Sequence, residues 1–186
     1  MIEDKSRLRI GFLPFYVDYY EGICPEFPVE KAAVARRCGE RLAKLGELIW
    51  DGSLIGDVEA AAVAGEVLVR QKPDCVVVVT TIAVFGGICW AALSKIEAPL
   101  LVWNPQLIET VEAGYSMEEI VRNTSQIGTQ AIANTLLRNG RSFRIVTGYE
   151  HSDRVQAELE RLDLLPLAKA QAATLSGGEA QRVALA

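Results

Sequence analysis

Five consecutive apolar positions, Cys75 to Val79, sit inside the stretch Pro73 to Gly87 (PDCVVVVTTIAVFGG). Side chains of a strand alternate between two faces, so a run with no polar position needs cover on both sides. This predicts a central strand of a parallel sheet with helices above and below it. The run ends in Thr80-Thr81, and two glycines follow at Gly86 and Gly87. In an open parallel sheet, the carboxyl end of such a strand is where ligands bind.

The remaining elements arrange themselves around that strand. Arg7 to Pro14 (RLRIGFLP) reads as a first strand ended by Pro14, followed by an aromatic loop with Phe15, Tyr16, Tyr19 and Tyr20. Ala32, Ala35, Leu42 and Leu45 recur at helical spacing over 29–45, and Gly46 fits a C-cap. Glu47 to Trp50 makes a short second strand. Asp57 caps a helix running to Gln71, and Pro73 marks its exit. After the central strand come a helix over 84–95 and a fourth strand, Pro99 to Trp103, ending in Asn104-Pro105-Gln106. A long helical pattern covers 117–137, with Gly128 as the position of a break. Phe143 to Thr147 is a fifth strand, and Asp153 opens a last amphipathic helix through Leu159 and Leu162. This alternation predicts right-handed βαβ units and a flavodoxin-like (Rossmann-like) α/β sheet of order 2-1-3-4-5, with a C-terminal helical tail.

The chain has 186 residues, room for one sizeable α/β domain, placed at 1–153, with a helical tail at 154–186. A net charge of −5 and no basic cluster argue against a nucleic-acid partner. No apolar run approaches the ~20 residues of a membrane span, and no signal-peptide segment opens the sequence. Cys24, Cys38, Cys75 and Cys89 lack C-x-x-C spacing, so they read as reduced core residues of a cytoplasmic protein.

In this fold the loops after strands 1, 3 and 4 converge on one rim. They carry Tyr16 and Tyr19, then Thr80, Thr81 and Phe85, then Trp103, Asn104 and Gln106. Aromatic faces beside neutral amides and hydroxyls suit a polyhydroxylated ligand, because rings cover C–H faces and amides satisfy hydroxyls. The alternative is that these are half-buried rim residues with one polar tip. Catalytic machinery is sparse. His151 is the single histidine, no serine or cysteine stands near it with triad spacing, and no zinc-type cluster is present. Asp18, Glu21, Glu109 and Glu112 are the acids from which a carboxylate-only Mg or Mn site could be assembled, and solvated loop charge is their default reading. GFLPFY stands where a G-x-G-x-x-G would follow the first strand, which disfavours a dinucleotide.

Three segments, IGFLPFYVDYYEGICPEF, VVVVTTIAVFGGICWAAL and APLLVWNPQ, together with RNTSQIGTQAIANTLLRNGRSFRIVTGYE, carry a family pattern. Over residues 9–149 the sequence resembles the N-terminal domain of the L-fucose/L-arabinose isomerase family. The resemblance implies an aldose–ketose isomerase that uses a divalent metal, usually manganese. It also implies a homo-oligomer in which this domain helps close a neighbour's active site. The family's metal ligands lie in later domains, so no metal and no catalytic residue is expected in this chain. What carries over is a substrate-lining role, toward a pentose or 6-deoxyhexose, for Tyr16, Thr81, Trp103, Gln106, Asn123, Gln126 and Gln130. Capping and helix-surface polarity are the alternative reading of the same residues.

Beyond residue 154 the pattern changes. VQAELERLDLLPLAKAQAATLSGGEAQRVALA resembles the helical subdomain and signature motif of ABC-type ATPases. Ser176, Gly177, Gly178 and Glu179 would place backbone amides at a helix N-terminus, a geometry that favours a nucleotide phosphate. The same residues form a good capping box, and no G-x-x-x-x-G-K-[ST] accompanies them. Three readings stay open: an isomerase-type N-terminal domain, an accessory or fused piece of an ABC-type ATPase, and a non-catalytic sugar-binding module.

Overall fold

The computed structural model describes residues 7–22 and 24–161. Five strands, β1 (Arg9–Phe15), β2 (Glu47–Ile49), β3 (Cys75–Thr80), β4 (Leu100–Gln106) and β5 (Arg144–Tyr149), pair in the order β2-β1-β3-β4-β5. Every pairing is parallel. This is the flavodoxin-like α/β arrangement that the sequence predicts. The helices are α1 (Phe27–Ala43), α2 (Val58–Gln71), α3 (Gly86–Leu93), α4 (Met117–Arg122), α5 (Ser125–Arg138) and α6 (Asp153–Glu160). Ser176 to Glu179 and the remainder of the expected tail, including Leu162, lie outside the described residues.

The apolar run sorts residue by residue onto the two faces. Val76 and Val78 pack with Ala61 and Leu68 of α2, Cys89 and Leu93 of α3, and Ile132 and Leu136 of α5. Cys75, Val77 and Val79 pack on the other face with Val34, Cys38 and Leu42 of α1 and Val155 and Leu159 of α6. All five are fully buried, and each valine so buried contributes about 1.5 kcal/mol or more. All four cysteines are buried and free; loss of hydration pushes the Cys75 thiol up to about 12. None of the described helices is long and apolar enough to cross a membrane.

The caps and breaks differ instructively from expectation. Asp57 caps α2 as predicted, its carboxylate accepting from Ala60 N at 2.7 Å. Pro14, however, does not end β1: the strand runs on to Phe15, with Pro14 in register with Val79. Pro14 O accepts from Ile55 N, so this residue faces away from β3, toward β2, which pairs only as far as Gly11. No ladder acceptor is waiting there for the missing N–H. The same logic keeps Pro105 inside β4. Gln106 O accepts from Glu150 N on the β5 side, so Pro105 faces β3 beyond the last pair, Val79 with Trp103.

Gly46 is not a left-handed cap: its φ is not positive, and α1 ends at Ala43 with Lys44 as the C-cap. It is required because a Cβ there would lie 2.2 Å from Leu8 O. Nor does the long helical pattern break at Gly128. The interruption is at Asn123-Thr124, between α4 and α5. Gly128 stays helical and lets α5 settle on the end of β3, where an added Cβ would meet Ile82 O at 2.7 Å and Thr80 Cβ at 2.9 Å. Gly128→Ala is therefore expected to cost about 1–3 kcal/mol in urea denaturation. Gln130→Ala, an exposed change on the same helix, should stay within about 0.5 kcal/mol. Equal stability of the two variants would contradict this packing.

Candidate functional site

The rim at the carboxyl ends of the strands is organised by the break between α4 and α5. Ser116 and Glu119 open α4 with a reciprocal capping box: Ser116 N donates to Glu119 Oε2 at 2.7 Å, and Glu119 N donates to Ser116 Oγ at 3.2 Å. The Ser116 amide holds the Glu119 carboxyl below its usual range. Within about two turns the helix stops, because Thr124 Oγ1 donates to Val121 O and accepts from Ala83 N.

A charged anchor fixes where α4 ends. Arg122 reaches Glu26 at 2.6 Å, Glu30 at 3.1 Å and Glu118 at 2.7 Å. Lys31, 1% exposed, donates to Arg122 O and lies 5.1 Å from the centroid of the Phe27 ring. Together these tie the last residue of α4 to the start of α1.

Asn123, the next residue, is thereby placed over the end of β4. Its Oδ1 accepts from Leu107 N at 3.2 Å, and its Nδ2 donates to Gln106 Oε1 at 3.4 Å. Gln106 Nε2 in turn donates to Asn104 Oδ1 at 3.0 Å. The Ser125 hydroxyl lies 2.8 Å from Asn104 Oδ1 and 3.1 Å from Pro105 O. Asn104 Nδ2 reaches Thr147 Oγ1 at 3.5 Å. Thr80 Oγ1 donates to Ser125 O at 2.8 Å and sits 3.2 Å from Thr129 Oγ1. A chain of carboxamides thus runs outward from buried Asn104 to half-buried Gln106 and Asn123.

The other residues singled out from sequence are distributed around this cluster. Gln126 and Gln130 are exposed on α5. Thr81 is buried and spends its hydroxyl on Phe15 O at 2.9 Å. Tyr16, 6% exposed, donates to Glu21 Oε1 at 3.1 Å, and burial raises its phenol above the ordinary range. Tyr19 and Phe85 are exposed in the loops after β1 and β3. Trp103 is fully buried and belongs to the opposite face, packed with α1 and α6. Sequence reading missed Ser125, Thr129 and Thr147. Thr147 pairs in register with Asn104, a neighbour that strand order alone could have supplied.

Chemically the cluster offers neutral donors and acceptors and no group that titrates near neutrality. His151 stands elsewhere, 3.4 Å from Glu150. Cys24, Glu26 and Glu118 bring three possible metal-ligand atoms within 4.8 Å of one another. Both carboxylates already serve Arg122, and loss of hydration raises the Cys24 thiol above its ordinary pKa. The described residues therefore do not fit the manganese that the isomerase resemblance implies for a full-length enzyme.

No family model matches the chain, and no curated protein matches it in sequence. Among solved structures, the type B ribose 5-phosphate isomerase of Trypanosoma brucei is similar over 84% of this chain and 97% of its own. The identity is 14% and the TM-score 0.30. A superposition this loose carries no argument.

The anchor has a measurable pH signature. Loss of hydration lowers the Lys31 pKa from 10.5 to about 8. Between those values the folded protein has released a proton that the unfolded chain still holds, so stability rises with pH across the window. Lys31→Met should remove that contribution. The stability difference between wild type and Lys31→Met is expected to shift toward wild type by on the order of 1 kcal/mol between pH about 7 and about 9.5. A difference independent of pH would contradict the burial of a titrating amine there.

Proposed function

We propose that this chain is a sugar-binding α/β domain of the L-fucose/L-arabinose isomerase type. In this reading it lines a pocket for a pentose or 6-deoxyhexose and contributes to assembly, while the catalytic metal belongs to other domains. The observation that carries the reading is the carboxamide chain Asn104–Gln106–Asn123 at the carboxyl end of β4. Sugar hydroxyls both donate and accept, and fixed amides match them without a charge to desolvate. The buried end of the chain holds the half-buried end in place, so little side-chain entropy is lost on binding. Gln126, exposed in the first turn of α5 and three residues beyond Asn123, is assigned to the same pocket in this reading.

Exposed apolar side chains on the same rim support the assembly part of the reading. Phe85 follows β3, Val111 follows β4 and Met117 opens α4, each about 70% exposed. A neighbouring subunit seated there would cover them and close the pocket.

Calorimetry with L-arabinose and L-fucose tests the proposal. Saturable heat is expected with one of them, and Asn123→Ala and Gln126→Ala should each weaken binding roughly three- to tenfold, the loss of about one neutral hydrogen bond. Aldose–ketose conversion by this chain alone, with manganese present, is expected not to exceed the rate in buffer. No heat with either sugar, or unchanged affinity in both variants, would overturn the assignment.

A further inference from the structure

The opposite face of the sheet holds a chemically different feature, a cavity. Residues 37, 41 and 44 stand four and three apart on α1, so Arg37, Arg41 and the end-of-helix Lys44 share one stripe of it. That stripe faces the carboxyl end of β5 and the start of α6 across a cavity of about 370 Å³, floored by Trp103. Glu150 and His151 complete its far wall.

The two arginines are treated differently. Arg37 donates through Nε at 3.1 Å and Nη2 at 2.8 Å to Glu150 Oε1, so its charge is matched. Arg41 makes the same two-pronged contact with an amide: Nε and Nη2 reach Gln156 Oε1 at 3.2 and 2.6 Å. Among the described residues no carboxylate pairs with Arg41 or with Lys44. With Glu150 spent on Arg37, the remaining acid in the wall is Glu40, which is exposed. Lys44 is exposed as Glu40 is, so the two offset each other and the excess positive charge of the cavity rests on half-buried Arg41.

Trp103 supplies the independent observation. Its side chain is fully buried, yet Nε1 finds no acceptor among the described residues. Trp50 shows the ordinary outcome, donating to Ser53 O at 2.8 Å. A buried donor is normally satisfied, since leaving it without a partner is costly. The Arg41 guanidinium lies 5.8 Å from the Trp103 ring centroid. Nε1 has less than 1 Å² of accessible surface, so an oxyanion that displaces a covering side chain would give both groups what they lack, accepting from the indole and balancing the guanidinium. The volume suits a small molecule.

We propose that the cavity between α1 and α6 binds a small organic anion through a carboxylate or phosphate group held by Arg41, Lys44 and the Trp103 indole N–H. The site is independent of the sugar-binding reading.

Amide and indole NMR of the full chain tests it. The protein has three tryptophans, and Trp103→Phe identifies the third indole signal by its disappearance. If that variant does not fold, Trp50→Phe and Trp90→Phe identify it by elimination. Titrations with sodium acetate and with sodium phosphate separate the two oxyanion sources, against sodium chloride at matched ionic strength. A saturable downfield shift of the Trp103 indole proton with one of them is expected, with the other two indoles unmoved. Gln156→Glu, which puts a carboxylate on Arg41, and Arg41→Gln should each weaken the response on the order of tenfold. No saturable shift with either anion, an equal shift with chloride, or a shift unchanged in both variants would overturn the proposal.

Discussion

The dehydration of β3 is the constraint on which the rest of this structure depends. Val76 to Val79 have no exposed surface, so both faces of the sheet must be covered before the strand can exist. The cover is supplied by α2, α3 and α5 on one face and α1 and α6 on the other. Polarity along β3 can begin only where that cover ends, at Thr80 and Thr81. Both hydroxyls are immediately absorbed, by Ser125 O and by Phe15 O. The end of the central strand is therefore closed by its own neighbours, and polar groups able to meet a ligand are displaced one strand outward, to the end of β4.

That displacement explains what was legible in the sequence. A run such as CVVVVT needs no tertiary information to be read as a doubly covered strand, and the βα alternation then orders the sheet. The Asp57 cap is equally local. Pro14 misled because a proline's tolerance depends on how far the adjacent strand extends, which is a property of the partner. Gly128 misled in a related way: a glycine in a helix suggests a break, but here it allows close approach to Ile82 O. The actual break at Asn123-Thr124 is enforced by Ala83 N and Leu107 N, both distant in sequence.

The candidate site was legible in composition and only partly in geometry. Asn104, Gln106 and Asn123 meet, as loops converging on one rim allow. Trp103 cannot join them, since alternation along β4 sends 103 and 104 to opposite faces; the period of two already contained that information. The contacts that tie Arg122 to α1 and the Arg41–Gln156 contact link residues 91 to 115 positions apart, and no local pattern announces them. The two faces consequently differ in chemistry: neutral amides beneath α4 and α5, and an imperfectly balanced cationic stripe on α1.

The central claim is that the carboxamide chain at the end of β4 is a preorganised surface for sugar hydroxyls. Its most direct test follows the side-chain NH2 resonances of Asn104, Gln106 and Asn123 while L-arabinose or L-fucose is added. The account predicts saturable shifts at Gln106 and Asn123, a smaller one at buried Asn104, and none at the exposed amide of Asn139. Side-chain amides that stay unmoved at saturating sugar, or that move no more than Asn139, would contradict it.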